Sequence, residues 1–231
     1  MNPLYQIPRT GAAATPAGAQ AARKGNMGLG LAITGLVALA VANTPALVAL
    51  IFGTPLKWVA MFAPLAFIFF FQFRIERMSV AGARTAFFAF AGVMGVSMAS
   101  IFLVFTGQSI AMAFFAAAAM FLALSLFGYS TKRDLTGMGT FLFVGLIAVV
   151  LASIVNVFLG SSMLQMLLSV VGVVVFAGLT AWDTQRLKSE YAHYGRSEAA
   201  DKLAIMGALS LYLNLINMFQ LLLGLMGQRE E

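Results

Sequence analysis

The chain has 231 residues, of which 61% are hydrophobic and 10% are charged, and its formal net charge at pH 7 is +6. Soluble domains are about 45–50% apolar and about 25% charged, so this composition excludes an ordinary soluble protein. The absence of cysteine excludes disulfides and thiol chemistry. The basic residues are dispersed between apolar segments, which is typical of membrane topology signals and not of nucleic-acid binding.

Seven apolar segments reach or approach the length of about 20 residues that a helix needs to cross a bilayer. In chain order they cover residues 28–52, 57–73, 83–105, 109–129, 138–159, 163–186 and 203–226. Residues 1–27 lack the apolar core of a signal peptide and are predicted to form a flexible tail. Residues 28–231 are predicted to form one seven-helix transmembrane domain, in which Pro64 interrupts the second helix.

The basic residues predict the orientation of the bundle. Twelve of the fourteen fall on the side of the membrane that carries the N-terminus, whereas the opposite side has only Lys57 and Arg229. The positive-inside rule therefore places the N-terminus in the cytoplasm and the C-terminus outside. The twelve are Arg9, Arg23, Lys24, Arg74, Arg77, Arg84, Lys132, Arg133, Arg186, Lys188, Arg196 and Lys202.

Small residues recur in the third to sixth segments, where two explanations apply. Either they let helices approach closely, or they line a narrow water-filled path. For each residue taken alone, the packing explanation is favoured. The residues are Gly92, Gly95, Ser97, Ser100, Ser125, Gly128, Gly145, Gly172 and Gly178.

Asp183 is the acidic residue that most plausibly lies inside the bilayer, since the other seven carboxylates lie in loops, at helix flanks or in the tail. An intramembrane acid is costly and is by default a hypothesis for a proton or cation site. The alternative is an interfacial acid that pairs with Arg186, one helical turn further on. Burial would favour its protonated form and a nearby arginine its charged form, so its charge state stays open.

The last segment carries a polar face. Ser210, Asn214 and Asn217 recur at spacings of four and three residues, which places them on one side of a helix, and Gln220 continues the row. Single amides often join membrane helices, but several along one edge favour a buried polar seam. We therefore expect the last helix at the centre of the bundle. Asn156 is either a further member of this seam or a helix-end amide.

Other polar residues have weaker functional interpretations. Arg74, Glu76 and Arg77 follow the second segment on the same side as Asp183, where they either anchor the helix end or supply an ion pair to Asp183. His193 lies in a polar loop. With no metal-ligand cluster, phosphate-binding glycine loop or intramembrane Ser/His pair in the sequence, the chain is not predicted to be an enzyme.

Four motifs in the chain stand out: GVSMASIFLVFTGQSI, SLFGYSTKRDLTGMGTFLFVGLI, VFAGLTAWDTQRLKSEY and GALSLYLNLINMF. They resemble the Bax inhibitor family (transmembrane Bax inhibitor motif proteins), in its bacterial branch. The similarity runs from about Phe71 to Gly227, in the order and at the spacing of the family.

This resemblance implies a seven-helix fold in which six helices surround the last, and a calcium leak that responds to pH. In the family, two aspartates on the sixth and seventh helices share a proton and help to gate a pore, and an arginine on the second helix acts as a latch. The first aspartate corresponds to Asp183, within TAWDTQ. The arginine corresponds to Arg74 or Arg77, with Arg74 slightly preferred. The resemblance also makes Asp183 a candidate ligand for weakly bound calcium; no cofactor is implied.

The second aspartate of the family pattern is missing, because Leu211-Tyr212-Leu213 is followed by Asn214. Two carboxylates in contact cannot both ionise cheaply, whereas Asn214 can donate a hydrogen bond to an ionised Asp183. We therefore expect the pH response to be weakened or moved to lower pH. Asn214 lies about 18 Å along a straight helix from Lys202, whereas Asp183 lies only about 5 Å from the cytoplasmic end of the sixth segment. They can meet only if one helix extends beyond the membrane.

The leading functional prediction is thus a multi-pass protein of a bacterial-type inner membrane that leaks cations, chiefly calcium, and responds to protons. The alternative is a non-conducting factor that binds other membrane proteins, such as a membrane protease, in a stress response. A proton-coupled transporter of small solutes would need more intramembrane charge than the sequence contains.

Overall fold

The computed structural model describes residues 16–194 and 198–228, and the side chains of 16–24, 76 and 191–199 are outside the description. Nine α-helices and one 3₁₀ turn (Ile75–Arg77) account for most of these residues, which contain no strand. The helices are α1 (Pro16–Ala42), α2 (Pro45–Phe52), α3 (Leu56–Arg74), α4 (Val80–Met98), α5 (Ile101–Val104), α6 (Gly107–Ser130), α7 (Thr136–Leu159), α8 (Ser162–Tyr194) and α9 (Glu198–Met226).

Seven stretches within these helices are long and apolar enough to cross a membrane, which confirms the predicted all-α membrane bundle. The predicted tail over residues 1–15, with Arg9, lies outside the described residues, as do Arg196, Arg229 and the side chains of Arg23, Lys24, Glu76 and His193. The orientation of the termini stays a prediction.

Two of the predicted segments are each divided into two helices. The segment 28–52 breaks after Ala42, and α2 begins with Pro45, which has no N–H and disfavours a helical conformation at the preceding Thr44. The segment 83–105 breaks at Ala99, whose N–H bonds to Val96 O at 3.3 Å in place of a regular α-helical partner. By contrast, α3 continues through Pro64, so the interruption predicted there does not end the helix.

Helix α1 begins at Pro16, within the residues predicted as a flexible tail. Proline is well suited to a first helical turn. The residues that follow include alanine, glutamine, arginine and lysine, which are good helix formers. The apolar pattern indicates only the part that the membrane covers, so a helix that continues past it into polar sequence is missed.

The last helix, α9, lies at the centre of the bundle, as predicted. It packs mainly against α1, α4, α6 and α8, while α3 packs on α4 and α7 packs on α8. Four helices therefore surround α9, and the spanning helices α3 and α7 lie further out, whereas the resemblance implied that all six would surround it. Its core side chains include Ala208, Tyr212 and Met218, which are fully buried.

Several small residues mark close helix contacts, as the packing explanation predicted. A Cβ atom at Gly128 would collide with the backbone of Ala181, so α6 and α8 touch through their main chains. A Cβ at Gly95 would lie 2.7 Å from Thr34 O, between α4 and α1. Gly92 is different, because a Cβ there would meet nothing within 4 Å.

The end of α9 is tied to the start of α6. The backbone N–H of Gln228 donates to Ser109 Oγ at 2.9 Å, and Gln228 O accepts from the N–H of Thr106 at 3.1 Å. Thr106 also caps α6 through a hydrogen bond from the N–H of Ser109 at 3.3 Å. These contacts hold the central helix at the end remote from Asp183.

Candidate functional site

Asp183 lies on α8 and is only 4% exposed. Its Oδ1 is 3.0 Å from Arg186 Nη2. Its Oδ2 accepts hydrogen bonds from Ser210 Oγ at 2.5 Å and from Asn214 Nδ2 at 2.8 Å. These four side chains, referred to below as the Asp183 cluster, join α8 to the central helix α9.

The spacing of residues on each helix creates the cluster. Asp183 and Arg186 are one turn apart on α8, and Ser210 and Asn214 are one turn apart on α9, so each pair shares a face. A close approach of the helices brings the faces together. At Gly207 a Cβ atom would lie 2.6 Å from Leu187 Cδ2, so a larger residue would require the Leu187 side chain to move.

The contact between Asp183 and Asn214 is confirmed, and the lengths of the helices explain it. Helix α8 continues to Tyr194 and α9 begins at Glu198. At 1.5 Å per residue, Asp183 lies about 16 Å from the end of α8, and Asn214 lies about 24 Å from the start of α9. Helix α8 therefore extends well beyond Arg186, which reduces the mismatch in depth between the two residues from about 13 Å to about 8 Å.

Arg186 is the cation that pairs with Asp183. Its guanidinium group also lies 4.6 Å from the centre of the Trp182 ring and its Nε lies 3.9 Å from Glu190 Oε1. Its side chain is 40% exposed, so the ion pair is buried on the aspartate side and exposed on the arginine side.

Neither candidate for the latch arginine contacts the cluster. Arg74 and Arg77 are both exposed, and within the described ranges neither forms an ion pair with Asp183. Arg74 lies 6.0 Å from the centre of the Phe70 ring. The interfacial pair with Arg186, which the sequence offered as the alternative, is the one that the structure contains.

The remaining polar residues of the predicted seam lie away from Asp183. Asn217 Nδ2 donates to Leu213 O on its own helix at 2.8 Å, and Gln220 lines a cavity of about 450 Å³ with Lys57 and Trp58. Asn156 is a helix-end amide, as in the second of the two interpretations. Its Nδ2 donates to Gln165 Oε1 at 3.1 Å, and its Oδ1 accepts from the N–H of Ser161 at 3.2 Å.

The sequence did not single out a second buried polar contact beside the cluster. The Tyr212 hydroxyl lies 2.6 Å from Thr34 Oγ1, and Thr34 Oγ1 lies 2.9 Å from Ala91 O. Because the threonine has one hydroxyl proton and directs it to a carbonyl, Tyr212 is the donor to Thr34. This chain joins α9, α1 and α4. The sequence signal that could have indicated this contact is a threonine within the first apolar segment, two turns after the glycine-rich start of that segment.

The surroundings of Asp183 are rich in donors and poor in further acceptor oxygens. Calcium takes six to eight oxygen ligands, and no group of three or more His, Cys, Asp or Glu side chains occurs among the residues that the structure describes. Both oxygens of Asp183 are engaged by N–H or O–H groups. A cation can therefore reach this carboxylate only after Arg186 or the α9 donors move.

Seven helices that are long and apolar enough to span a membrane, with a buried, paired carboxylate beside the central helix, define a multi-pass membrane protein. The family described as "Inhibitor of apoptosis-promoting Bax1" matches residues 25–231. The chain therefore belongs to the Bax inhibitor family, as its four motifs indicated. Family members are generally not enzymes, which agrees with the prediction for this chain.

The relatives cover most of the chain. An uncharacterized protein of Rickettsia prowazekii is 43% identical over 205 residues, which are 89% of this chain and 87% of the relative. The inner membrane protein YbhL of Escherichia coli K12 is 40% identical over 208 residues, or 89% of each chain. The name of the second relative agrees with the inner-membrane location predicted from the sequence.

Proposed function

We propose that this protein is a calcium-leak protein of the inner membrane whose conduction is controlled by the Asp183 cluster. The observation that carries the proposal is the position of Asp183, a buried carboxylate on α8 that accepts two hydrogen bonds from the central helix and one from Arg186 on its own helix. A charged residue within a membrane helix costs about 2.5–3.5 kcal/mol on insertion scales. Its retention at a helix–helix contact favours a functional role.

Protonation of Asp183 would weaken the contact between the helices. The ionised carboxylate accepts from Arg186, Ser210 and Asn214 together. A protonated carboxyl group loses the charge attraction to Arg186 and turns one acceptor into a donor. The hydrogen bonds from α9 then lose their charge assistance, so α8 and α9 separate more readily at low pH.

Few charged groups lie close to Asp183. Arg186 touches Asp183 from α8, with Glu190 behind it, and the two contacts from α9 are a hydroxyl and an amide that do not titrate in this range. Lys188 is directed to α6, where Nζ donates to Tyr129 O at 2.8 Å. On α9 itself, Tyr212 is a titratable side chain, and its hydroxyl donates to Thr34 on α1.

Asn214 in place of a second aspartate lowers the sensitivity to pH. The amide donates to ionised Asp183 and adds no negative charge, so it opposes protonation where a carboxylate would favour it. We therefore expect calcium leak to rise only at a lower pH than in a chain with two aspartates.

Calcium flux into liposomes, measured from pH 8 to pH 5, tests the proposal. Asn214→Asp is expected to shift the rise in leak to higher pH, and Asp183→Asn to remove the pH dependence. Asn217→Asp is the matched control, since it makes the same chemical change one turn away without contacting Asp183. Identical pH profiles for the native protein and Asn214→Asp would refute the role of the cluster.

The saturation of Asp183 by protein groups favours a second candidate, a non-conducting factor that binds other membrane proteins such as a membrane protease. Because the chain has no cysteine, single cysteines at positions 214 and 217 can be probed alone. Modification by a water-soluble thiol reagent supports a hydrated path. Full protection at both positions, together with no calcium flux, supports the packed scaffold.

A further inference from the structure

A second polar site lies beside the Asp183 cluster, where the loop between α6 and α7 folds onto α8. The site is a pocket of about 380 Å³, called the loop pocket below. Residues of the loop and of α8 line it, among them Lys132, Arg133, Asp134, Trp182, Arg186 and Ser189. The pocket shares Arg186 with the Asp183 cluster, but its other lining residues have no part in the proposed leak function.

The loop pocket is held in shape by a side-chain clamp. Gln185 on α8 accepts from the N–H of Leu135 through Oε1 at 2.8 Å, and donates from Nε2 to Arg133 O at 2.7 Å. One amide group thus satisfies two backbone groups of the loop. Lys188 adds a contact from Nζ to Tyr129 O at 2.8 Å, at the end of α6.

The lining carries an excess of positive charge. Three cations, Lys132, Arg133 and Arg186, face one carboxylate, Asp134. That carboxylate is already used, because Asp134 Oδ1 accepts from the N–H of Thr136 at 2.8 Å. Hydrogen bonds from the side chain and then the backbone of Thr136 hold the pKa of Asp134 below its usual value of 3.8, so it stays ionised at the start of α7.

The cations have donors to spare. In the described part of the chain, neither Lys132 nor Arg133 forms an ion pair. Arg186 Nε is buried and has no hydrogen-bond partner, although the same guanidinium group reaches Asp183. A phosphate group in the pocket would match the forked geometry of the Arg186 guanidinium group, whose side chain is 40% exposed.

We propose that the loop pocket binds the phosphate of an anionic phospholipid headgroup. The pocket lies where α6 ends and α7 begins, at the rim of two membrane spans. Headgroup phosphates lie at this depth, and basic pockets between spanning helices bind such headgroups. Trp182 lines the pocket below Arg186, which is the depth that tryptophan prefers. The same phosphate chemistry would admit a dissolved phosphate ion, so the experiment separates the two sources.

Trp182 reports directly on the pocket, because the chain has only two tryptophans. In Trp58→Phe protein, all tryptophan fluorescence comes from Trp182. We expect stronger quenching by brominated phosphatidylglycerol than by brominated phosphatidylcholine at equal bromine content. In the same background, Lys132→Gln with Arg133→Gln is expected to reduce this preference about five-fold for each charge removed.

Two comparisons decide the result. Lys57→Gln removes a cation near the opposite end of the bundle and is expected to leave the preference unchanged. Equal quenching by the two lipids, or a preference that survives loss of Lys132 and Arg133, would overturn the proposal. A preference that disappears when inorganic phosphate replaces chloride at equal ionic strength would assign the pocket to the dissolved ion and overturn the lipid assignment.

Discussion

Asn214 donates a hydrogen bond of 2.8 Å to Oδ2 of Asp183 across the interface of α8 and α9. The amide therefore supplies a donor where the family pattern has a second negative charge. With Ser210 on the same oxygen and Arg186 on the other, the ionised form of Asp183 is fully partnered. The contact thus joins the two helices through a single carboxylate.

Replacement of Asn214 by aspartate should destabilise the protein at neutral pH. The change removes a donor and places a like charge beside Asp183, at a cost of about 1–3 kcal/mol for the lost hydrogen bond alone. Because the two carboxylates then share a proton that the unfolded chain binds less tightly, stability should rise as pH falls. Thermal unfolding in detergent at pH 8 and pH 5 measures this, and an unchanged midpoint at pH 8 would contradict it. Asn217→Asp again serves as the control.

Loss of the Thr34 hydroxyl should cost more than loss of the Tyr212 hydroxyl. In Thr34→Val the fully buried phenol keeps its proton but has no acceptor, which costs about 1–3 kcal/mol. In Tyr212→Phe the threonine still donates to Ala91 O, so we expect about 1 kcal/mol or less. Denaturant unfolding of both single variants and the double variant gives the comparison. A double variant as unstable as the sum of the single ones would show that the two hydroxyls do not interact.

Gly128→Ala should separate α6 from α8. The new methyl group would overlap the backbone of Ala181, which cannot rotate away as a side chain can, so overpacking should cost about 1–3 kcal/mol or more. Gly92→Ala, where the methyl group meets nothing within 4 Å, is the matched control and should gain up to about 1 kcal/mol from helix propensity. Unfolding midpoints measured under one condition distinguish them, and equal effects would refute the close contact.

The start of α7 should lose protection in acid. The pKa of Asp134 is lowered by its hydrogen bonds with Thr136, so the folded state favours the charged form. This stabilisation is present above the usual value of 3.8 and is lost as pH falls below it. The Thr136 amide should therefore exchange hydrogen more slowly in the native protein than in Asp134→Asn at pH 6, after correction for intrinsic rates. The two rates should converge below pH 3.8; equal rates at pH 6 would contradict the assignment.

Much of the fold follows from hydropathy and much of the site does not. The seven apolar segments predicted the spans, because crossing a membrane requires length and apolar composition that are visible in the sequence. The breaks before Pro45 and at Ala99 lie within segments that are apolar overall, although Asn43 and Thr44 precede the first and Ser97 and Ser100 flank the second. Hydropathy measures composition and not the path of the backbone, so these breaks were missed.

The site was predictable where residues share one helix. The pairing of Asp183 with Arg186 and the common face of Ser210 and Asn214 both follow from helical spacing. The contact between the helices needed the family resemblance, because the depth of Asn214 depends on where α9 begins. Thr34 and Gln185 were missed because their partners are 178 and about 50 residues away, and spacing along the chain carries no information at that range.

The tie at Gln228 determines how the Asp183 cluster can open. With this end of α9 bonded to Thr106 and Ser109, the central helix cannot slide along its axis without breaking two hydrogen bonds, one to a backbone N–H and one to a side-chain hydroxyl. It can tilt about that end, from which Asn214 lies about 21 Å along the helix axis. A rotation of about five degrees then displaces Asn214 by about 2 Å, which is enough to break its bond to Asp183 while the opposite end stays closed.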